Sequence, residues 1–129
     1  MQACLIFTVN CTEMNIEELR IYCLKKKGAT ESFPFGEQTL VFKIGDKIFL
    51  LAGLDVHPLS FNAKCDPEEA INLREQYPNS VLPGFHMNKK HWNTVVLDGE
   101  ISLDQAKRMI DHSYELVFNS LPLKLKNDI

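Results

Sequence analysis

The stretch Leu40-Val41-Phe42-Lys43-Ile44-Gly45-Asp46-Lys47-Ile48-Phe49-Leu50-Leu51-Ala52-Gly53-Leu54 decides the architecture. Leu40, Phe42 and Ile44 alternate with Val41 and Lys43, the two-residue period of a strand with one buried face. Gly45-Asp46 falls where the alternation breaks, and with Gly first it predicts a two-residue turn of type II′. The return strand then runs from Lys47 to about Leu54. Downstream, Leu59, Phe61 and Ala63 alternate with Ser60, Asn62 and Lys64 as a third strand. Upstream, Ser32-Phe33-Pro34-Phe35 offers a short additional one. Together these segments read as an antiparallel meander that buries one face.

Helices are predicted on either side of the meander. Asn15 with an acid three residues on is an N-cap signal, and Ile16, Leu19, Cys23 and Leu24 form one helical stripe. That helix is expected over Ile16 to Lys27, with Lys25, Lys26 and Lys27 in a last turn that suits cations and Gly28 as the stop. Asp66-Pro67-Glu68-Glu69 starts a second helix, with Asp as N-cap and Pro at the first position; Pro78 ends it near Tyr77. A strand follows from about Trp92 to Leu97. Ser102 and Gln105 make a capping box for a long last helix. Its buried stripe is Leu103, Ala106, Met109, Ile110, Ser113, Tyr114, Val117 and Phe118. Pro122 interrupts it, and Leu123 to Lys126 reads as a final short turn. The fold class is therefore α+β, helices packed on a single antiparallel sheet in a two-layer arrangement.

Composition agrees with that class. A chain of 129 residues with 45% hydrophobic and 24% charged residues can build a core of its own, which excludes disordered and collagen-like chains. No run approaches the ~18 apolar residues of a membrane span, so no membrane partner is expected. The net charge of -3 argues against coating nucleic acid by bulk charge, and leaves room for a local basic face. Cys4, Cys11, Cys23 and Cys65 show no zinc-ligand spacing and no convincing export signal precedes them, so they read as free thiols in a cytoplasmic protein. No repeat or linker divides the chain. Met14 opens what reads as a natural start, so residues 1–13 are expected to be an N-terminal extension, a strand or an arm, ahead of a domain over residues 14–129.

The most distinctive stretch runs from Leu82 to Thr94. It lies within the longest window free of acidic residues, Gln76 to Leu97, which holds two lysines, two histidines and the single Trp. Lysines, amides and an aromatic side chain suit phosphate contact with base stacking, and equally suit an anionic small molecule. The plainer account of Lys89 and Lys90 is a solvated loop, with Trp92 as a core anchor. His86 and His91 are five residues apart with no Cys or carboxylate near them, so no metal site is expected. Cys65 precedes a predicted helix start beside Lys64, a setting that can lower a thiol pKa, although a packed thiol is the simpler account. No P-loop, Rossmann glycine pattern, G-x-S-x-G or H-E-x-x-H occurs, and no catalytic residue or cofactor is assigned.

From Met14 to about Leu125 the chain resembles the MmcQ/YjbR family of small bacterial proteins. The resemblance rests on Met14-Asn15-Ile16-Glu17-Glu18-Leu19-Arg20, Phe33-Pro34-Phe35-Gly36 and Lys64-Cys65-Asp66-Pro67-Glu68. It also rests on the run from Pro83 to Val95, with His86-Met87-Asn88-Lys89-Lys90-His91-Trp92-Asn93 its most specific part, and on Asp111-His112-Ser113-Tyr114. The resemblance implies a compact α+β fold similar to the CyaY-like arrangement. It also implies a DNA-binding label, which is an analogy of fold. The expected function is binding rather than catalysis. DNA would be held by Lys64, His86, Asn88, Lys89, Lys90, His91, Trp92 and Asn93, with Lys43 extending the patch if its strand presents it on the same side. The alternative is a small-molecule or anion-binding protein that uses the same loop, with Cys65 or His86 as a reactive group.

Overall fold

The computed structural model describes residues 14–84 and 87–129. The expected N-terminal extension, Cys4, Cys11 and His86 lie outside the described residues. Helix α1 (Ile16–Leu24) starts at the predicted Asn15, whose Oδ1 accepts from Glu18 N at 2.8 Å, while Glu18 Oε1 accepts from Asn15 N at 3.4 Å. The helix ends earlier than expected. Lys25 is its C-cap, Lys26 N donates to Cys23 O at 3.2 Å, and Gly28 turns the chain at φ 76°. The three lysines thus follow the helix instead of forming its last turn. Gly28 is also needed for close approach, because a Cβ there would stand 2.8 Å from the Ile44 and Ile129 side chains.

Strand β1 (Thr30–Ser32) precedes the Phe33–Gly36 turn, where the sequence suggested a strand over Ser32 to Phe35. The hairpin is β2 (Thr39–Ile44) and β3 (Lys47–Gly53), paired antiparallel with Ile44 opposite Lys47. Gly45 and Asp46 both have positive φ, 56° and 68°. That makes the turn type I′ rather than II′; Asp tolerates the left-handed region, and the I′ twist matches the twist of the strands. Strand β4 (Ser60–Lys64) follows, then α2 (Pro67–Gln76), capped by Asp66 as predicted. Strand β5 (Val81–Pro83) was not expected. Three residues ending in Pro carry no alternation to read, and its partner lies further along the chain. Strand β6 (Trp92–Val96), α3 (Leu103–Ser120, capped by Ser102) and α4 (Leu123–Asp128) complete the chain.

The six strands form one antiparallel sheet in the order β1-β2-β3-β4-β6-β5. Helix α3 lies across β2, β3 and β4, and α2 packs on β5. The buried face of the sheet brings Leu40, Phe42, Phe49, Leu50, Phe61, Ala63 and Val95 against Leu19 and Cys23 of α1 and against Ala106, Ile110 and Val117 of α3. Ser113, fully buried in α3, locks helix to sheet: its Oγ accepts from Lys64 N at 2.8 Å and donates to Phe49 O. The register places Val41, Leu51, Asn62, Thr94 and Leu82 in one row across β2, β3, β4, β6 and β5, on the opposite face. No described helix covers that row. None of the described helices is long and apolar enough to cross a membrane.

Candidate functional site

The segment between β5 and β6 is built on main-chain bonds. Gly84 N donates to Trp92 O at 2.8 Å. A Cβ on Gly84 would stand 2.7 Å from Trp92 Cβ and 2.8 Å from Trp92 O, so only glycine lets the two strands close there. Asn88 then makes the turn: its side-chain Oδ1 accepts from Lys90 N at 2.9 Å, and its carbonyl accepts from His91 N and Trp92 N at 3.1 and 2.9 Å. His91 O accepts from Cys65 N at 2.7 Å, which ties the loop to the start of α2. Arg74 in α2 closes the arrangement. Its Nε donates to Asn93 Oδ1 at 2.8 Å, and its Nη2 donates to Trp92 O at 3.3 Å and to Lys89 O.

The residues singled out in the sequence divide into two groups. Lys89 and Lys90 are exposed, and Lys90 has no side-chain partner among the described residues. Lys64 and Trp92 face each other directly across β4 and β6, both partly exposed. Alternation from Asn62 and Thr94 puts this pair on the side that no described helix covers. Asn93, by contrast, is only 2% exposed and spends its oxygen on Arg74. Asn88 and His91 shape the loop. The structure therefore brings Lys64, Lys89, Lys90 and Trp92 to one place and takes Asn93 into the interior.

Around that place the charges are sorted along the strands. The end of the sheet where β2 and β4 finish and β3 and β6 begin carries Lys43, Lys47, Lys64, Lys89 and Lys90. Lys43, opposite Ile48 after a bulge, shares that side with Lys64. The helix layer adds to the same end. Lys25 and Lys27 precede Gly28, which packs on Ile44; Lys124 and Lys126 follow Leu121, which packs on Gly45. Asp46, Asp66, Glu68, Glu69 and Asp128 are among the acids interspersed there. At the other end Glu37, Asp55, Asp98 and Glu100 lie in the connections around Thr39, Gly53 and Val96. Ser80 donates toward Asp98 there at 2.8 Å, and this hydrogen bond holds the Asp98 carboxyl below its ordinary range. A net charge of -3 thus conceals a chain with a basic end and an acidic one.

Two hollows adjoin the sheet, and neither is lined by Lys89, Lys90 or Trp92. One, of about 630 Å³, opens between α2 and α3 over Ala63 and Val95 and takes in Lys64, Cys65, Arg108 and His112. His112 Nε2 accepts from Asp66 N at 3.2 Å, so this histidine anchors the start of α2. Burial pushes the Cys65 thiol up to about 11, with Glu69 and Asp66 adding to the effect. Cys23 in the core is pushed up to about 12, also by burial. Both are free thiols held protonated at neutral pH, the opposite of an activated nucleophile. The second hollow, of about 610 Å³, lies on the face that no described helix covers. Among the described residues no group of three or more His, Cys, Asp or Glu side chains is placed to hold a metal ion.

Sequence reasoning missed Arg74 and Lys47. Arg74 sits at an ordinary position in α2, and its partners lie 15 to 19 residues away, so no local pattern announces it. Lys47 reads as a strand start, and only the pairing of the strands reveals which lysines share its end.

The model of the YjbR family matches residues 24–116 of the chain. The Uncharacterized protein YjbR of Escherichia coli (strain K12) is 36% identical over 109 residues, 84% of this chain and 92% of that one. The Uncharacterized protein YbdF of Escherichia coli O157:H7 is 42% identical over 90 residues, 69% of this chain and 72% of that one. Among solved structures, Deinococcus radiodurans protein DR2400 superposes with a TM-score of 0.85 at 34% identity, covering 90% of this chain and 88% of that one. A protein from Pseudomonas syringae superposes with a TM-score of 0.65 at 26% identity, covering 81% of this chain and 99% of that one.

Proposed function

The chain belongs to the YjbR family, and on that premise we propose that it is a nucleic-acid-binding protein whose contact surface is the basic end of the sheet. The observation that carries this reading is the gathering of Lys43, Lys47, Lys64, Lys89 and Lys90 at one strand end, with the acids of the connections at the other. A polyanion meets a local positive field there in spite of the negative total, because contacts beyond about 8–10 Å are screened at physiological salt. Lys89 and Lys90 contact phosphate. Trp92 stands at their base, between the loop and Lys64, and reports on the site. Nothing in this scheme calls for bond-breaking chemistry, and the two described thiols are held protonated by burial.

Trp92 is the only tryptophan, so its fluorescence tests the proposal directly. Titration with short single- and double-stranded DNA at two salt concentrations is expected to give a saturable change that weakens as salt rises. Lys89→Ala with Lys90→Ala is expected to weaken binding across all sequences and to lower the salt slope by about 1 per lysine removed. A double variant that binds as the parent does removes the loop from the contact surface.

A further inference from the structure

We infer that the hollow on the face that no described helix covers is a seat for one unpaired nucleobase, whose phosphates run over Lys64, Lys89 and Lys90. The inference deepens the proposed function and rests on its basic end. The hollow has the size of a small-ligand site, about 610 Å³. Its floor is the row Leu51, Asn62 and Thr94; Val56 from the β3–β4 connection, Leu82 on β5 and Met87 from the β5–β6 segment make apolar walls, and Thr39 and Ser60 close it at the acidic end of the sheet.

The chemistry of the floor selects the ligand. Asn62 Oδ1 accepts from the Thr94 hydroxyl, which turns the carboxamide nitrogen of Asn62 away from that bond. This nitrogen has no hydrogen-bond partner among the described residues, and Asn62 is partly exposed. Two amide N–H donors between aliphatic walls suit a flat heteroaromatic ring with acceptors on its edge. That is a nucleobase: asparagine pairs with base edges, and apolar side chains cover base faces. A plain hydrocarbon leaves the donors unpaired, which burial penalises.

Charge and continuity supply the rest. Lys64 and Trp92 lie two residues beyond Asn62 and Thr94 on the same face, about 7 Å along the strands. Met87 lines the hollow, and Lys89 follows two residues later with its Nζ 3.5 Å from Gly84 O. The opposite end of the hollow reaches Thr39 and Gly53, beside Glu37 and Asp55, so a base in it has its phosphate side toward the lysines and away from those acids. Bases in a duplex are stacked and paired, so the ligand is an unpaired one. It is supplied by a single strand or by a free nucleotide, since the recognised chemistry, a base carrying phosphate, is the same.

The test uses the full chain and the Trp92 signal. The probes are a short single-stranded oligonucleotide, the same length as hairpin duplex, an abasic strand of equal charge, and a nucleoside 5′-monophosphate. Asn62→Leu removes the donors; Leu82→Ala trims an exposed wall and keeps the test open if the first variant folds poorly. The single strand is expected to bind more tightly than the duplex and the abasic strand by about five- to a hundredfold, the range of one stacked base. Either variant is expected to lose that margin while duplex binding stays as it was. Lys89→Ala with Lys90→Ala is expected to weaken strand and duplex alike. Equal binding of the abasic and normal strands overturns the base seat and leaves the basic-end reading standing. Asn62-dependent binding of the monophosphate, with no binding of either polymer, supports the seat, identifies a free nucleotide as its source and overturns the basic-end reading. No binding of any probe overturns both.

Discussion

The two faces of the sheet share strands, backbone and register, yet they are composed for different tasks. The covered face is apolar and closed: Phe42, Phe49, Leu50 and Phe61 are all at most 1% exposed, and α3 lies on them. The open face sets the buried Val41 and Leu51 beside the partly exposed Asn62, Thr94, Lys64 and Trp92, with Leu82 exposed at its edge. A face kept only for stability gains nothing from an amide and a hydroxyl at its centre or from lysines at its end. The contrast teaches that folding free energy is concentrated on one side, which leaves the other free to carry side chains chosen for contact.

The sharpest way to break this comparison is to damage each face and weigh the cost. Phe61→Ala removes a buried ring from the centre of the covered face and is expected to cost about 3–5 kcal/mol in urea unfolding. A cost under about 1 kcal/mol means that α3 and the sheet are not packed as described. Ser113→Ala comes next. It leaves Lys64 N and Phe49 O without their shared hydroxyl, and the expected loss is about 1–3 kcal/mol. Arg74→Ala is expected to fall near the same range, about 1.5–3 kcal/mol, because it ends hydrogen bonds from a guanidinium to Asn93, Lys89 and Trp92. Hydrogen exchange separates the last two: Arg74→Ala should expose the amides of residues 88–92, and Ser113→Ala should not.

The covered face was legible in the sequence and much of the open face was not. Asn15, Asp66 and Ser102 mark helix starts through the chemistry of their own side chains, and all three cap the helices they were expected to cap. The stripe from Leu103 to Phe118 and the alternation of Leu40, Phe42 and Ile44 point to the core because burial imposes a period. Strand β5 has no period to read, and the hairpin turn misled because the backbone of Asp46, not the position of Gly45, sets its type. At the site, the run from Asn88 to Asn93 was visible as unusual composition. Its division was hidden: Asn93 looks like Asn88 in sequence, and only Arg74, brought up by α2, draws it inside. Lys64, Lys89, Lys90 and, conditionally, Lys43 were grouped from the sequence, whereas the place of Lys47 beside them was hidden, since it follows from strand direction.

The smallest expected effect sharpens the comparison most. Lys89 and Lys90 sit in a loop that α2, β5 and β6 all hold, so a structural role for them looks natural at first. Yet the loop is held by other groups. Lys89 contributes its carbonyl to Arg74, Lys90 its amide nitrogen to Asn88, and Gly84, His91 and Trp92 bond through their main chains. The contact of Lys89 Nζ with Gly84 O is long, at 3.5 Å, and Lys89 is exposed. Alanine keeps every main-chain bond, so Lys89→Ala with Lys90→Ala should leave the unfolding midpoint within about 0.5 kcal/mol of the parent. Relieved repulsion among the lysines at this end can even raise it slightly in low salt, and added salt should erase that gain. A loss above about 1 kcal/mol would make the two side chains part of the scaffold, and weakened binding by the double variant would then report damage to the loop. An unchanged midpoint makes the same weakened binding a statement about charge, and places the two lysines with the open face in purpose as well as in position.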